Sequence, residues 1–151
     1  MVWYTAAAAA LWVIALLVAP ALPAPASAVI YAFGSFICHQ RPERSFNLDG
    51  SQLPVCARCL GVYSGAAVGA WLAPFIGRVA RPRLLIALSA VPAVLSLVVE
   101  WSGLAHPTNV WRAATGLVGG GIIAAVVLAT LHYEQCVPPR PIEPSRPPTP
   151  T

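Results

Sequence analysis

Four long apolar stretches divide this chain and constrain its fold more than any other feature. They run from Val2 to about Leu22, Leu60 to Ile76, Leu84 to Trp101 and about Val110 to Tyr133. Residues are 58% hydrophobic and only 9% charged, against roughly a quarter charged in soluble domains. Since a spanning helix needs about 20 apolar residues, the sequence predicts an all-α membrane protein with about four transmembrane helices in a small bundle.

The first apolar stretch admits two interpretations. Ala26-Ser27-Ala28 fits the small-x-small cleavage site of a signal peptide. However, Met1 to Thr5 contains no Lys or Arg, which favours a retained helix that ends at nearby prolines. Val29 to Ile37 is apolar but too short to span, and it predicts an interfacial helix leading into a Cys-rich loop between helices one and two.

Charge and composition organise the rest of the chain. Val137 to Thr151 is rich in proline and predicts a disordered tail after a helical membrane domain of residues 1–136. The basic residues are all arginines, scattered among loops rather than clustered on one face, which argues against nucleic-acid binding. The positive-inside rule predicts a multi-pass cell-membrane protein with both termini in the cytoplasm.

Glycines repeat at close-packing spacing in two of the predicted helices. Gly61, Gly65 and Gly69 recur every four residues in helix two, and Gly116 and Gly120 do so in helix four. Such stripes let helices approach closely in lipid. Packing within one chain and packing in a homo-oligomer both use this pattern, so both stay open. The lipid bilayer is the partner that the composition predicts directly.

The loop between predicted helices one and two holds three of the chain's 4 cysteines, Cys38, Cys56 and Cys59. The last two form a Cys-x-x-Cys at the start of helix two, where the helix dipole and Arg58 favour thiolates. Three thiolates and one imidazole make a common tetrahedral zinc set. The loop therefore predicts a Zn²⁺ site with His39 as the fourth ligand.

The identity of that fourth ligand stays open. His39 directly follows Cys38, and neighbouring residues seldom reach one metal ion together. His106 and Glu100, near the end of predicted helix three, are alternatives. A water in the fourth position would leave the metal open for catalysis, whereas four protein ligands would make it structural.

Other polar residues are expected to join the cysteines. With four helices, the loops after helices one and three lie on the same side of the membrane, so Glu100 and Arg112 share the side of the Cys-rich loop. They are expected to form a salt bridge or to reach the headgroups, and Asn109 is also a candidate cap of helix four. The supporting polar site is predicted to comprise Gln40, Arg44, Ser45, Arg58, Glu100, Asn109 and Arg112.

Three arginines accompany the cysteines in the loop, namely Arg41, Arg44 and Arg58. Guanidinium groups hold lipid phosphates or carboxylates. They also serve as simple interfacial anchors, an interpretation that suits Arg41 best. The position of Arg58 between two thiols favours a functional role for it.

Redox chemistry is the alternative function for the same thiols. A membrane thiol–disulfide oxidoreductase would use Cys56 and Cys59 and exchange electrons with a carrier such as a quinone. Four-helix membrane thiol oxidases need a second cysteine pair on the same face, whereas Cys38 is alone there and Cys136 falls on the other side. That odd number of thiols favours metal binding. A transporter subunit is a third class, although the polar residues lie at helix ends rather than at the midplane.

The order of these residues resembles the domain-of-unknown-function 2085 family of small predicted integral membrane proteins. The resemblance covers roughly Tyr31 to Gly120. Its motifs are Cys38-His39-Gln40, Pro42 to Phe46, Leu53 to Tyr63, Glu100, Thr108-Asn109, Arg112 and Thr115-Gly116. This chain departs from the family in Glu100-Trp101, where Asp-Gly is more usual, and His106 lies outside the pattern, which weakens it as a ligand. The resemblance implies a membrane location and no established reaction.

Overall fold

The structure is a computed structural model that describes residues 2–136; the predicted Pro-rich tail, residues 137–151, lies outside them. Within that range the chain is mostly helical. In order, the elements are α1 (Val2–Val18), α2 (Ala24–Ile37), β1 (Ser45–Leu48), β2 (Ser51–Cys56), α3 (Ala57–Leu72), α4 (Pro82–Trp101) and α5 (Asn109–Cys136). Short 3-10 turns occupy Ala19–Ala21, Pro42–Arg44 and Ala73–Phe75.

Within residues 2–136, three helical segments are long and apolar enough to cross a membrane, namely Val2–Ala21, Pro82–Trp101 and Asn109–Gln135. They match predicted helices one, three and four. The predicted second helix exists as α3, but its 16 residues fall short of the roughly 20 that a bilayer requires. Large apolar side chains such as Leu88 and Leu95 are exposed on α4. Such a surface suits contact with lipid tails, which are as apolar as leucine.

Ring contacts give the direction of α1 against α3. The ring centroids of Trp3 and Trp71 lie 5.4 Å apart, and those of Trp12 and Tyr63 lie 6.3 Å apart. The start of α1 therefore lies beside the end of α3, and the two helices are antiparallel. Leu16, near the end of α1, is fully buried beside the first turn of α3. The end of α1, α2, the β-strands and the start of α3 thus share one end of the bundle, which we call the cysteine end.

Glycines bring α3 and α5 into backbone contact. A Cβ atom on Gly61, Gly65 or Gly69 would overlap backbone atoms of α5, and one on Gly116 or Gly120 would overlap backbone atoms of α3. The contacted positions advance in the same direction along both helices, so α3 and α5 are parallel. The predicted close packing is confirmed, and it lies within one chain. Because this contact fills both stripes, a homo-oligomer would have to use another surface.

A β-hairpin corrects the all-α prediction for the Cys-rich loop. β1 and β2 pair antiparallel, with Leu48 opposite Ser51. The residues between the strands, Asp49 and Gly50, have φ angles of 49° and 80°. An Asp-Gly pair favours a two-residue hairpin turn, because both turn positions need positive φ. The hairpin returns the chain so that Cys56 stands at the start of α3.

The predicted interfacial helix is longer than expected. α2 begins at Ala24 rather than Val29, with a proline in its first turn, where the missing N–H is harmless. Its 14 residues are too few to span a bilayer. Phe33 and Phe36 are exposed on it. The backbone N–H of Cys38 donates to the Gly34 carbonyl at 2.9 Å, which ends the helix directly at the first cysteine.

Replacing Gly65 by alanine is expected to destabilise the bundle, because the new methyl group would overlap backbone atoms of Leu117 and Gly121. Overpacking of this kind typically costs about 1–3 kcal/mol. Thermal unfolding of the detergent-purified protein, followed by tryptophan fluorescence, measures the loss. Gly77→Ala is the matched control, since nothing lies within 4 Å of a Cβ placed there. Equal unfolding midpoints for both variants would contradict the backbone contact between α3 and α5.

Candidate functional site

Three thiols meet where α2, β2 and α3 come together. Cys38 follows α2, Cys56 ends β2, and Cys59 lies in the first turn of α3. The backbone N–H of Cys56 donates a hydrogen bond to Cys38 Sγ at 3.1 Å. The thiols of Cys56 and Cys59 also hydrogen-bond to the Cys38 thiol. The fold thus joins three free cysteines that come from three different elements.

The thiols stand between an apolar wall and an open pocket. Leu16 and Val55 are fully buried against Cys38, and Trp12 and Tyr63 pack around them. On the other side the cysteines line a pocket of about 340 Å³. The remaining lining residues are Ile37, His39, Arg41, Arg44, Arg58, Trp101 and Arg112. One face therefore excludes water, while the other is open to a ligand.

The environment of Cys38 differs from that of Cys56. Burial acts to raise the pKa of the Cys38 thiol, but hydrogen bonds from the N–H groups of Cys56 and Gln40 and from two thiols lower it below its ordinary value. Burial raises the pKa of the Cys56 thiol, and its hydrogen bond to Cys38 raises it further. Of these two thiols, Cys38 therefore ionises first.

The carboxylate of Glu100, at the end of α4, is the centre of the polar network. Its side chain is only 4% exposed. Oε1 lies 2.9 Å from Arg44 Nη2 and 3.0 Å from Arg112 Nη2, and Oε2 lies 3.6 Å from Arg58 Nη2. Arg58 Nη2 also donates to Ser96 Oγ at 3.0 Å. The expected salt bridge between Glu100 and Arg112 is therefore present, within a cluster that joins α3, α4, α5 and the turn before β1.

Asn109 belongs to this network and does not cap α5. Its side-chain N–H donates to the Ser45 carbonyl at 2.9 Å, and its Oδ1 accepts from Arg112 Nη1 at 2.9 Å. The cap is Thr108, whose hydroxyl accepts the N–H of Trp111 at 3.2 Å. The predicted cap was thus wrong by one residue. Because Asn109 is not the cap, its side-chain amide links α5 to β1 instead.

Gln40 holds the segment that carries Cys38. Its φ of 48° lies in the left-handed region, which is unusual for a residue other than glycine. Its side-chain amide donates to the carbonyls of Tyr31 and Pro54, each at 2.8 Å. Gln52 in turn donates to the Gln40 carbonyl at 2.7 Å. These bonds tie α2 to β2 and offset the cost of the strained backbone.

Neither His39 nor His106 takes part in the hydrogen bonds of the three thiols. His39 is exposed and lines the thiol pocket, beside the cysteines. His106 is exposed and lines a separate pocket with Glu43 and Asn109. Within residues 2–136, no group of three or more His, Cys, Asp and Glu side chains is arranged to hold a metal ion as it stands. The cysteines lie there as hydrogen-bonded thiols.

The arginine cluster leaves charge and hydrogen-bonding capacity unused. Three guanidinium groups face one carboxylate, which leaves an excess of two positive charges. Among the described residues, the buried atoms Arg58 Nε, Arg112 Nε and Glu100 Oε2 have no hydrogen-bond partner. A pocket with such a wall attracts anions.

Ser96 and Gln52 are supporting residues that the sequence patterns did not reveal. Ser96 lies four residues before Glu100 on α4 and hence on the same face, which was a usable signal for a partner of the same arginines. Gln52 reaches Gln40 only because the hairpin brings the two together. No spacing in the sequence indicates that contact.

Comparisons with other proteins agree with the resemblance seen in the motifs. A family model described as a predicted membrane protein, DUF2085, matches residues 38–127. An uncharacterised protein of Methanocaldococcus jannaschii is 33% identical over 106 residues, 68% of this chain and 68% of the relative. An uncharacterised protein of Methanothermobacter thermautotrophicus is 35% identical over 100 residues, 64% of this chain and 89% of the relative. No solved structure matches the chain.

Replacing Glu100 by glutamine is expected to destabilise the protein strongly, because it leaves the arginine cluster without its carboxylate. Removing one partner of a buried ion pair typically costs about 3–5 kcal/mol. Glu43→Gln is the matched control, since Glu43 and Arg41 are 63% and 56% exposed and 3.9 Å apart. Thermal unfolding in detergent compares the two variants. A Glu100 variant as stable as the Glu43 variant would show that the cluster does not hold the helices together.

Proposed function

Because the chain belongs to the DUF2085 family of predicted membrane proteins, we propose its function from the site it carries: it binds one metal ion, zinc, at the membrane surface. The ligands are the thiolates of Cys38, Cys56 and Cys59. The observation that carries the proposal is the hydrogen bonding of the Cys38 thiol to both other thiols at the mouth of an arginine-lined pocket. Thiolate sulfur is the ligand that zinc and softer metals prefer.

The surroundings of the thiols support a metal in two ways. Zinc with three thiolates carries one net negative charge, which the excess positive charge of the arginine cluster would balance. The apolar wall around Leu16 and Val55 would shield the metal–sulfur bonds from water. Binding would replace the thiol protons, and it would require rotations of the three side chains, since they lie now as hydrogen-bonded thiols.

The contacts that each candidate already makes reduce the choice of a fourth ligand. Glu100 is ion-paired with three arginines, so binding a metal would require its carboxylate to leave that cluster. His106 lines a different pocket. His39 lines the thiol pocket, and the open side of that pocket also admits a water. We therefore assign the fourth position to His39 or to a water.

The proposed topology places this site outside the cytoplasm. α3 and the turn Ala73–Phe75 would complete a fourth crossing, since α3 lies along α5 through its glycines. Arg78 and Arg81 lie between α3 and α4 and Arg83 lies in the first turn of α4, all at the opposite end of the bundle from the thiols. By the positive-inside rule that end faces the cytoplasm, together with both termini.

A thiol–disulfide oxidoreductase is the second candidate, because Cys38 contacts the thiols of the Cys56–Cys59 pair. Oxidation of that pair to a disulfide would release two electrons and two protons to a carrier such as a quinone. The Cys38 thiolate would then attack one sulfur of that disulfide, which breaks the Cys56–Cys59 bond, forms a new disulfide to Cys38 and releases the other cysteine as a thiolate. The same contacts therefore serve either function, and metal content separates them.

We expect about one zinc ion per chain when the protein is purified in detergent without chelator or metal-affinity resin. Inductively coupled plasma mass spectrometry measures it. Cys56→Ser is expected to lose most of the metal, because a hydroxyl is a poor zinc ligand at neutral pH. Cys136→Ser, at the end of α5 and far from the cysteine end, is the matched control and should retain it.

No metal in the wild-type protein, with Cys56 and Cys59 recovered as a disulfide, would refute metal binding and support the redox candidate. No metal, with three free thiols that stay reduced when the protein is incubated with a quinone, would refute both.

Reporter fusions test the topology separately. A fluorescent protein fused after Thr151 is expected to fluoresce in cells, because that end lies in the cytoplasm. Alkaline phosphatase fused after Gly103, in the loop between α4 and α5, is expected to be active outside it. The reverse pattern would place the cysteine end in the cytoplasm.

A further inference from the structure

A second kind of ligand is indicated by the arginines of the same pocket. Arg44, Arg58 and Arg112 come from three parts of the fold and converge on Glu100. One carboxylate neutralises one of the three guanidinium charges, which leaves two. At the rim, Arg41 is paired with Glu43, so that pair adds no net charge. The pocket therefore has a positively charged wall that the protein itself does not balance.

The buried guanidinium groups also retain unused donors. Arg112 is only 9% exposed in its side chain, lines the pocket, and has no hydrogen-bond partner for Nε. The Nε of Arg58 is likewise buried without a partner. A buried polar group without a partner is costly, and a hydrogen bond to a charged group recovers more than one to a neutral group. Both Nε atoms are closed to solvent, so they add to the uncompensated positive charge that an anion in the pocket would meet.

The mouth of the pocket lies at the level expected for headgroups. Trp101 and Ile37 line it and are 78% and 54% exposed. Trp101 ends a helix that is apolar over the length of a membrane span, and tryptophan favours the interface between lipid tails and water. An anion that enters this pocket can therefore be attached to an acyl chain that stays in the bilayer.

We infer that this pocket binds a phosphate group, carried either by a lipid or by a free phosphate. A tetrahedral phosphate presents oxygens in several directions, and guanidinium groups form paired hydrogen bonds with it. Its one or two negative charges match the excess charge of the arginine cluster. The inference rests on the arginines alone and does not require the proposed metal.

Thermal unfolding of the delipidated full-length protein in an uncharged detergent tests the inference. The probes are inorganic phosphate and dioctanoyl phosphatidic acid, each at matched ionic strength with chloride as the reference anion. At least one probe is expected to raise the unfolding midpoint, because it binds the folded state alone. A response to phosphatidic acid only identifies a lipid as the source, and a response to inorganic phosphate identifies a free phosphate. Either response supports the inference if the variants below behave as stated.

Two variants of the arginine cluster and one control variant show whether the probe binds in this pocket. Arg44→Gln and Arg58→Gln each remove a charged donor, and the apparent affinity is expected to fall about tenfold or more. Arg83→Gln, with the same loss of charge at the opposite end of the bundle, is expected to respond as the wild type does. Arg44 is 30% exposed, so its variant is expected to fold even if the Arg58 variant does not.

No shift with either probe in the wild type, or an equal shift in all three variants, would overturn the inference. Zinc content measured on the same samples keeps the two proposals apart. Arg44→Gln is expected to lose the phosphate response and keep its metal, whereas failure of the metal proposal would leave the phosphate response unchanged.

Discussion

The buried carboxylate of Glu100 is the contact on which the arrangement of the cysteine end depends. It sits at the end of α4 and is paired with arginines from α3, α5 and the turn before β1. A charged group so deeply buried is stable only with partners. Three arginines supply those partners, which leaves two positive charges unbalanced. These charges face the pocket that the arginines share with the thiols. One structural requirement therefore creates the positive wall on which both proposed ligands rely.

The glycine contact between α3 and α5 is what allows these arginines to meet. Without side chains at Gly61 and Gly65, the two parallel helices touch through their backbones. Arg58 and Arg112 each lie near the start of their helix, so parallel packing places both at the cysteine end. The hairpin then returns the chain from α2 to α3, which sets Cys38 against Cys56. Packing in the membrane and chemistry at its surface are thus linked.

Local patterns in the sequence predict most of the helices of this fold, but they do not predict the contacts between them. α4 begins within two residues of the predicted start, because its apolar run begins directly after Arg81-Pro82-Arg83. Asp49-Gly50 is a hairpin signal in the sequence, but the strands on either side of it are too short to show alternation. The predicted number of helices placed Glu100 and Arg112 on the same side of the membrane. The hydrogen bonds of Cys38 to the other two thiols and the packing of the glycine stripes within one chain depend on tertiary contacts, which no spacing encodes.

X-ray absorption at the zinc edge of the purified protein shows whether three cysteines from separate elements bind one metal ion. If they do, the spectrum gives three sulfur neighbours at about 2.3 Å and one lighter neighbour, nitrogen or oxygen, at about 2.0–2.2 Å. A zinc ion surrounded only by nitrogen and oxygen would contradict the proposed site, because such an ion would be bound without the thiols.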